Sequence, residues 1–165
     1  MKDLLNKLST YNIFNNLLPG VVFVVFSELF LQHSFIQKDL VVGAFLYYFL
    51  GVVISRVGSL VIEPLLKKIS FLKFANYRDF VVASKADSKL EVLSEVNNMY
   101  RTFVALFFIL LSVRIYERVE SIWPSLKLAS PFIAVLAITL LFLISYRKQS
   151  AYITKRVEAN MESNK

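Results

Sequence analysis

Cysteine is absent from the 165 residues, so neither a disulfide nor a thiolate metal site can form. The single histidine, His33, rules out a histidine-cluster metal site. Glycine totals four, and no Walker loop, GxSxG elbow, HExxH pair or glycine-rich dinucleotide fingerprint occurs. The acidic residues of the polar middle of the chain, Asp79, Asp87, Glu91 and Glu95, have no histidine or cysteine to work with. Glu91 and Glu95, four apart, are a solvated helix face. No catalytic residue, metal or cofactor is therefore expected. Charged residues are scarce too, at 19% against about 25% in average soluble chains.

What the chain has instead is apolar. Hydrophobic residues make up 56% of it and the mean hydropathy is +0.57. They fall in four blocks, at residues 13–31, 40–62, 96–116 and 130–146, the last with Pro131 after Ser130 reading as a helix start. Each is close to the roughly 20 residues a membrane-spanning helix needs. Core helices of a soluble bundle keep a polar face every 3.6 residues; blocks two and four have none. The N-terminus lacks the form of a signal peptide, because the first block contains Asn15, Asn16, Pro19 and Glu28. The expectation is an all-α, polytopic membrane protein: a single membrane domain over 1–165 with four transmembrane helices and a cytoplasmic helical segment at 64–98. The two halves show no repeat.

Basic residues give the orientation. Of the 19 Lys and Arg, 14 lie in the N-terminal segment, the 64–101 stretch and the tail. The other two loops hold four, and Arg56 lies inside block two. The positive-inside rule places both termini and the middle segment in the cytoplasm. Trp123 and Tyr116 suit an outer interfacial belt, and Tyr146 an inner one. The net charge of +7 is thus a topology signal, and nucleic acid is not an expected partner.

Local signals divide the cytoplasmic segment. Glu63-Pro64 should kink or end helix two. Residues 65–74 are amphipathic, 76–83 form a short helix, and 84–88 break it. Ser88 with Glu91 makes a capping box, so helix three should run from Lys89 to about Tyr116, about 42 Å at 1.5 Å per residue. Along it Leu90, Leu93, Asn97, Tyr100, Val104, Phe107 and Leu111 form a heptad-like seam, with Asn97 as the register-fixing polar residue. The seam either packs within the monomer or joins copies. Residues 1–16 read as an amphipathic helix on the cytoplasmic membrane surface.

Ionisable groups in or beside spans are functional candidates. Here they are Glu28, Arg56 and Glu63, with Arg114 near the outer end of helix three. Glu28 and Arg56 differ by about 13 Å in depth at 1.5 Å per residue, too much for a pair. Depth instead matches Glu28 with Arg114, Asn15 and Asn16 with Arg56, and Arg101 with Glu63. These groups could line a pathway or ring a pore; the simpler reading is interhelical glue, with Arg56 snorkelling. Gly51, Ser55 and Ser59, four apart, permit close helix approach.

Two stretches carry a resemblance. Ser9-Thr10-Tyr11-Asn12-Ile13-Phe14-Asn15-Asn16-Leu17-Leu18-Pro19-Gly20 and Asn97-Asn98-Met99-Tyr100-Arg101-Thr102 resemble segments of small bacterial membrane proteins of the kind found in antiphage defence systems. That resemblance implies an effector or sensor that disrupts or monitors the membrane, often as an oligomer. The expectation is an oligomeric, channel-like inner-membrane protein. The alternative is a non-conducting scaffold that recruits a cytoplasmic protein through 64–98.

Overall fold

The computed structural model describes residues 13–162, and every regular element among them is helical. The expected surface helix over 1–16 lies outside the described residues up to Asn12. A π-helical turn, Ile13–Leu17, leads into α1, Leu18–Phe30. Pro19 sits in the first α-helical turn, where its missing N–H is least needed.

The second helix, α2, is continuous over Leu40–Lys68. Asp39 opens it by accepting from the N–H groups of Val41 and Val42 at 2.8 and 2.9 Å. Glu63-Pro64 does not end this helix, which overturns one of the two outcomes expected of it, a kink or an end. A π turn at Gly58–Ile62 immediately precedes it, and the Glu63 N–H bonds to the carbonyl of Gly58. The hydrogen-bond register has already widened when the proline arrives, so its ring and missing donor fit. The helix closes at Lys68 rather than continuing through 65–74. Ser70 adopts φ 59°, while Ser70 N–H bonds Lys67 O and Phe71 N–H bonds Leu66 O, both at 3.0 Å. This is a Schellman closure with serine in the left-handed position usually held by glycine.

Helix α3, Tyr77–Ala86, is capped by Asn76, which accepts from Arg78 N–H at 3.1 Å. Helix α4 begins at Lys89 as expected and runs to Ile122. Its cap is Asp87, which accepts from Lys89 N–H at 2.9 Å, and Ser88 makes no side-chain cap. After a turn at Trp123, α5 spans Leu126–Glu162 with Pro131 inside it rather than at its start.

Helices α1, α2 and α4 pack together. Between them lie Phe23, Val24, Ile54, Ile62, Ala105, Leu106 and Leu110. Two glycines set how closely α1 and α2 approach. A Cβ on Gly20 would fall 1.7 Å from the carbonyl oxygen of Tyr47, and one on Gly51 would fall 1.7 Å from that of Asn16. Backbone therefore rests on backbone, as small-residue interfaces allow. Helix α5 meets this trio through Phe142, stacked on Phe49 at 6.2 Å, and through a serine and a lysine described below.

Two helices, Leu40–Lys68 and Leu126–Met161, are long and apolar enough to cross a membrane by length and composition. Only 17% and 6% of their most apolar windows are buried. The apolar part of the first helix, Asn15–Phe30, is shorter. Total accessible surface is 12285 Å², against about 8,400 Å² for a soluble monomer of 19.0 kDa. Large apolar side chains stand on that surface, among them Leu40, Phe45, Phe132, Leu136 and Leu143.

Candidate functional site

At the end of the bundle that carries α3, one carboxylate gathers three cations. Glu63 is only 7% exposed. Its Oε2 accepts from Arg101 Nη1 of α4 at 2.6 Å, and its Oε1 from Lys67 Nζ one turn along α2 at 2.8 Å. Gly58 brings the two helices together here, since a Cβ on it would meet the Arg101 carbonyl oxygen at 3.2 Å. The third cation comes from α5. Lys148 Nζ donates to both the carbonyl and the hydroxyl oxygen of Ser59 at 2.7 Å. It also feels the attraction of Glu63 and the repulsion of Arg101, Lys67 and Arg56.

Glu63, Lys67 and Lys148 lie beyond the apolar stretches 40–62 and 130–146. Burial pushes the Glu63 carboxyl upward, but the hydrogen bonds from Lys67 and Arg101 outweigh it and hold the group below the ordinary carboxylate value. Lys148 is held below the ordinary lysine value by burial first, with the neighbouring cations adding to it and Glu63 opposing. The cluster thus has more positive charge than its single carboxylate neutralises. The Nε of Arg101 is buried without a hydrogen-bond partner.

Two cavities open from this cluster. The larger, about 520 Å³, lies between the base of α4, α3 and α5, with Lys67, Arg101 and Lys155 on its wall. Phe74, Tyr77, Phe80 and Tyr152 line the same space, Tyr77 and Tyr152 lying 6.1 Å apart. The smaller, about 260 Å³, is mostly apolar, with Ile62, Leu66, Phe71 and Val104 on its wall. Glu63, Phe74, Asn97 and Arg101 border both.

A second cluster closes the opposite end. Glu117, 4% exposed, accepts from the backbone N–H of Gln32 at 2.7 Å and from Arg114 Nη1 at 3.0 Å, with His33 Nδ1 3.5 Å away. It ties the α1–α2 loop to α4. Beside it, Ser130 Oγ lies 2.7 Å from both Tyr116 Oη and Glu120 Oε1, joining α4 to the start of α5. Replacing Glu117 with Gln should cost about 2 kcal/mol, because two charge-assisted bonds weaken. The checkable result is a lower unfolding midpoint in detergent, with faster amide exchange at Gln32.

The structure sorts the sequence candidates. Arg101 meets Glu63, as depth predicts. Arg114 pairs with Glu117 and not with Glu28, which stands exposed on α1. Arg56 is half-buried and, among the described residues, makes no ion pair; Asn15 is buried. Of the α4 seam, Leu90 is half-buried, while Leu93, Asn97 and Tyr100 are exposed. Sequence reasoning missed Glu117 and Lys148. Glu117 had one signal, its three-residue spacing from Arg114 on a helix face. Lys148 had none, since its partner lies 89 residues away. Among the described residues no group of three His, Asp or Glu could hold a metal ion. No family model, curated protein or solved structure matches the chain.

Proposed function

We propose that the protein is a four-span inner-membrane protein with both termini in the cytoplasm, which self-associates through α4 and acts as a channel-like effector or sensor. The antiphage-defence resemblance belongs to the same reading. One observation carries it: four residues of the α4 seam remain open, although Leu90 and Asn97 border the cavities described above and Phe107 packs edge-on against Phe26. Leu93, Tyr100, Val104 and Leu111 are 62%, 63%, 49% and 66% exposed, while Thr102, Ala105, Leu106 and Leu110 form the buried face. Packing supports the four spans. Because α1 and the apolar part of α4 lie against α2, a bilayer that surrounds α2 also surrounds them. The basic cluster at one end fits the positive-inside rule.

A scaffold that does not conduct is the second reading, favoured by α3, none of whose residues is buried. The cysteine-free chain allows a clean test. Tyr100→Cys should form an intermolecular disulfide in membranes, and Leu106→Cys, on the buried face, should not. Purified protein in liposomes should pass ions. Cross-linking at Tyr100 without flux under any condition would favour the scaffold, and no cross-linking at Tyr100 would overturn the seam as the interface.

A further inference from the structure

The paired cavities at the Glu63 cluster have a shape and charge that the proposed function does not use. We infer that they form a binding site for a phosphate group, which Lys67, Arg101 and Lys155 would contact in the larger cavity. This inference rests on the membrane reading only for the source of that phosphate.

Charge is the first argument. Glu63 is hydrogen-bonded to Lys67 and Arg101 and also attracts Lys148, so one carboxylate faces three cations. Excess positive charge removed from water is costly unless an anion accompanies it. A wholly exposed lysine patch would attract an anionic surface without that cost. Arg101, however, is largely buried, with only 20% of its side chain exposed. Geometry is the second argument. Arg101 borders both cavities, and Lys67 and Lys155 border the larger one with it. Ser94 and Asn98 add neutral donors to the larger one. Guanidinium and ammonium groups supplemented by hydroxyl and amide donors are the chemistry that holds phosphate.

The source follows from the neighbouring space. The smaller, apolar cavity opens beside Arg101, toward the end of the apolar stretch of α2. A phosphate on an acyl chain, as in phosphatidylglycerol, could fill both cavities, its headgroup in one and its chain along the other. A free phosphate would fill the larger alone. Basic pockets at the cytoplasmic ends of spans recognise lipid headgroups in this way.

The test uses the full-length protein in a neutral detergent. Phosphatidylglycerol, phosphatidylcholine and inorganic phosphate are titrated separately, with bound mass read by native mass spectrometry and the thermal midpoint read in parallel. Phosphatidylglycerol should bind and raise the midpoint, because the added anion offsets the positive charge of Lys67, Arg101 and Lys155 around the larger cavity. Lys155→Gln, an exposed position, should weaken binding about tenfold with the midpoint of the free protein unchanged. Lys127→Gln, in the first turn of α5 at the opposite end, should not weaken it. Stabilisation by inorganic phosphate that Lys155→Gln removes would support the site and assign it a soluble phosphate. Equal binding of phosphatidylcholine, or anion binding indifferent to Lys155, would overturn it. Protease protection in vesicles reads insertion independently, so failure of the membrane reading would be told apart from failure of the site.

Discussion

Gly51→Ala should destabilise the bundle by about 3 kcal/mol or more, although it adds one methyl group. Overpacking usually costs 1–3 kcal/mol because side chains can move aside. Here the methyl would sit 1.7 Å from the Asn16 carbonyl oxygen, which is main chain and cannot rotate away. The two helices must separate, and the contacts of Phe23, Val24 and Ile54 separate with them. Gly43 supplies the contrast. A Cβ there meets only ordinary contacts at 3.5 Å, so Gly43→Ala should be neutral or stabilise by up to about 1 kcal/mol through helix propensity. SDS titration in mixed micelles, followed by tryptophan fluorescence, measures both. Matching midpoints for Gly51→Ala and the wild type would show that the helices do not meet as described.

Glu63→Gln should cost about 3–5 kcal/mol, the range for removing one partner of a buried ion pair. The substitution keeps the shape and removes only the charge that holds Arg101, Lys67 and Lys148 together. Adding Lys148→Met should restore part of the loss by removing one of the stranded cations. The pH dependence has a definite sign. The folded state holds the Glu63 carboxyl below its ordinary value of 4.5, so its contribution is fully present above that value. It disappears as pH falls through the lower folded value. Wild-type stability should therefore drop on acidification below about pH 4.5, and Glu63→Gln should drop less steeply. Glu117, also held below its ordinary value, supplies what slope remains. Equal slopes would remove Glu63 from the account.

Much of the helical outline was legible because apolar runs and breakers are local. Block 13–31 became helix to Phe30, block 40–62 opened at Leu40, and Lys89 began α4. Arg101 with Glu63 was legible too, because depth along two antiparallel helices needs only the rise per residue. Other features depend on partners that are not local. Pro64 was read as a helix breaker because the π turn before it leaves no mark in the residue pattern. Pro131 was read as a helix start, yet Leu126–Ser130 already form a turn, with Ser130 Oγ bonded back to Leu126 O. Glu117 binds a main-chain N–H in a loop, and a main-chain donor has no signature in residue type. The α4 seam was readable as a stripe, but which way it faced depended on where α1 and α2 packed.

The π turn at Gly58–Ile62 acts as one inserted residue in an otherwise regular helix. Each residue turns a helix by about 100°, so that insertion sets the rotation of everything after it. Glu63 faces Arg101 only because of that phase, whereas Lys67, four residues on in the same helix, turns with it. A chain one residue shorter in this turn would keep its hydropathy, its span and its charge count. Its carboxylate would point about 100° away, and Arg101 would be left facing apolar surroundings. The phase of this helix, more than its composition, decides whether the charges at its end form a cluster at all.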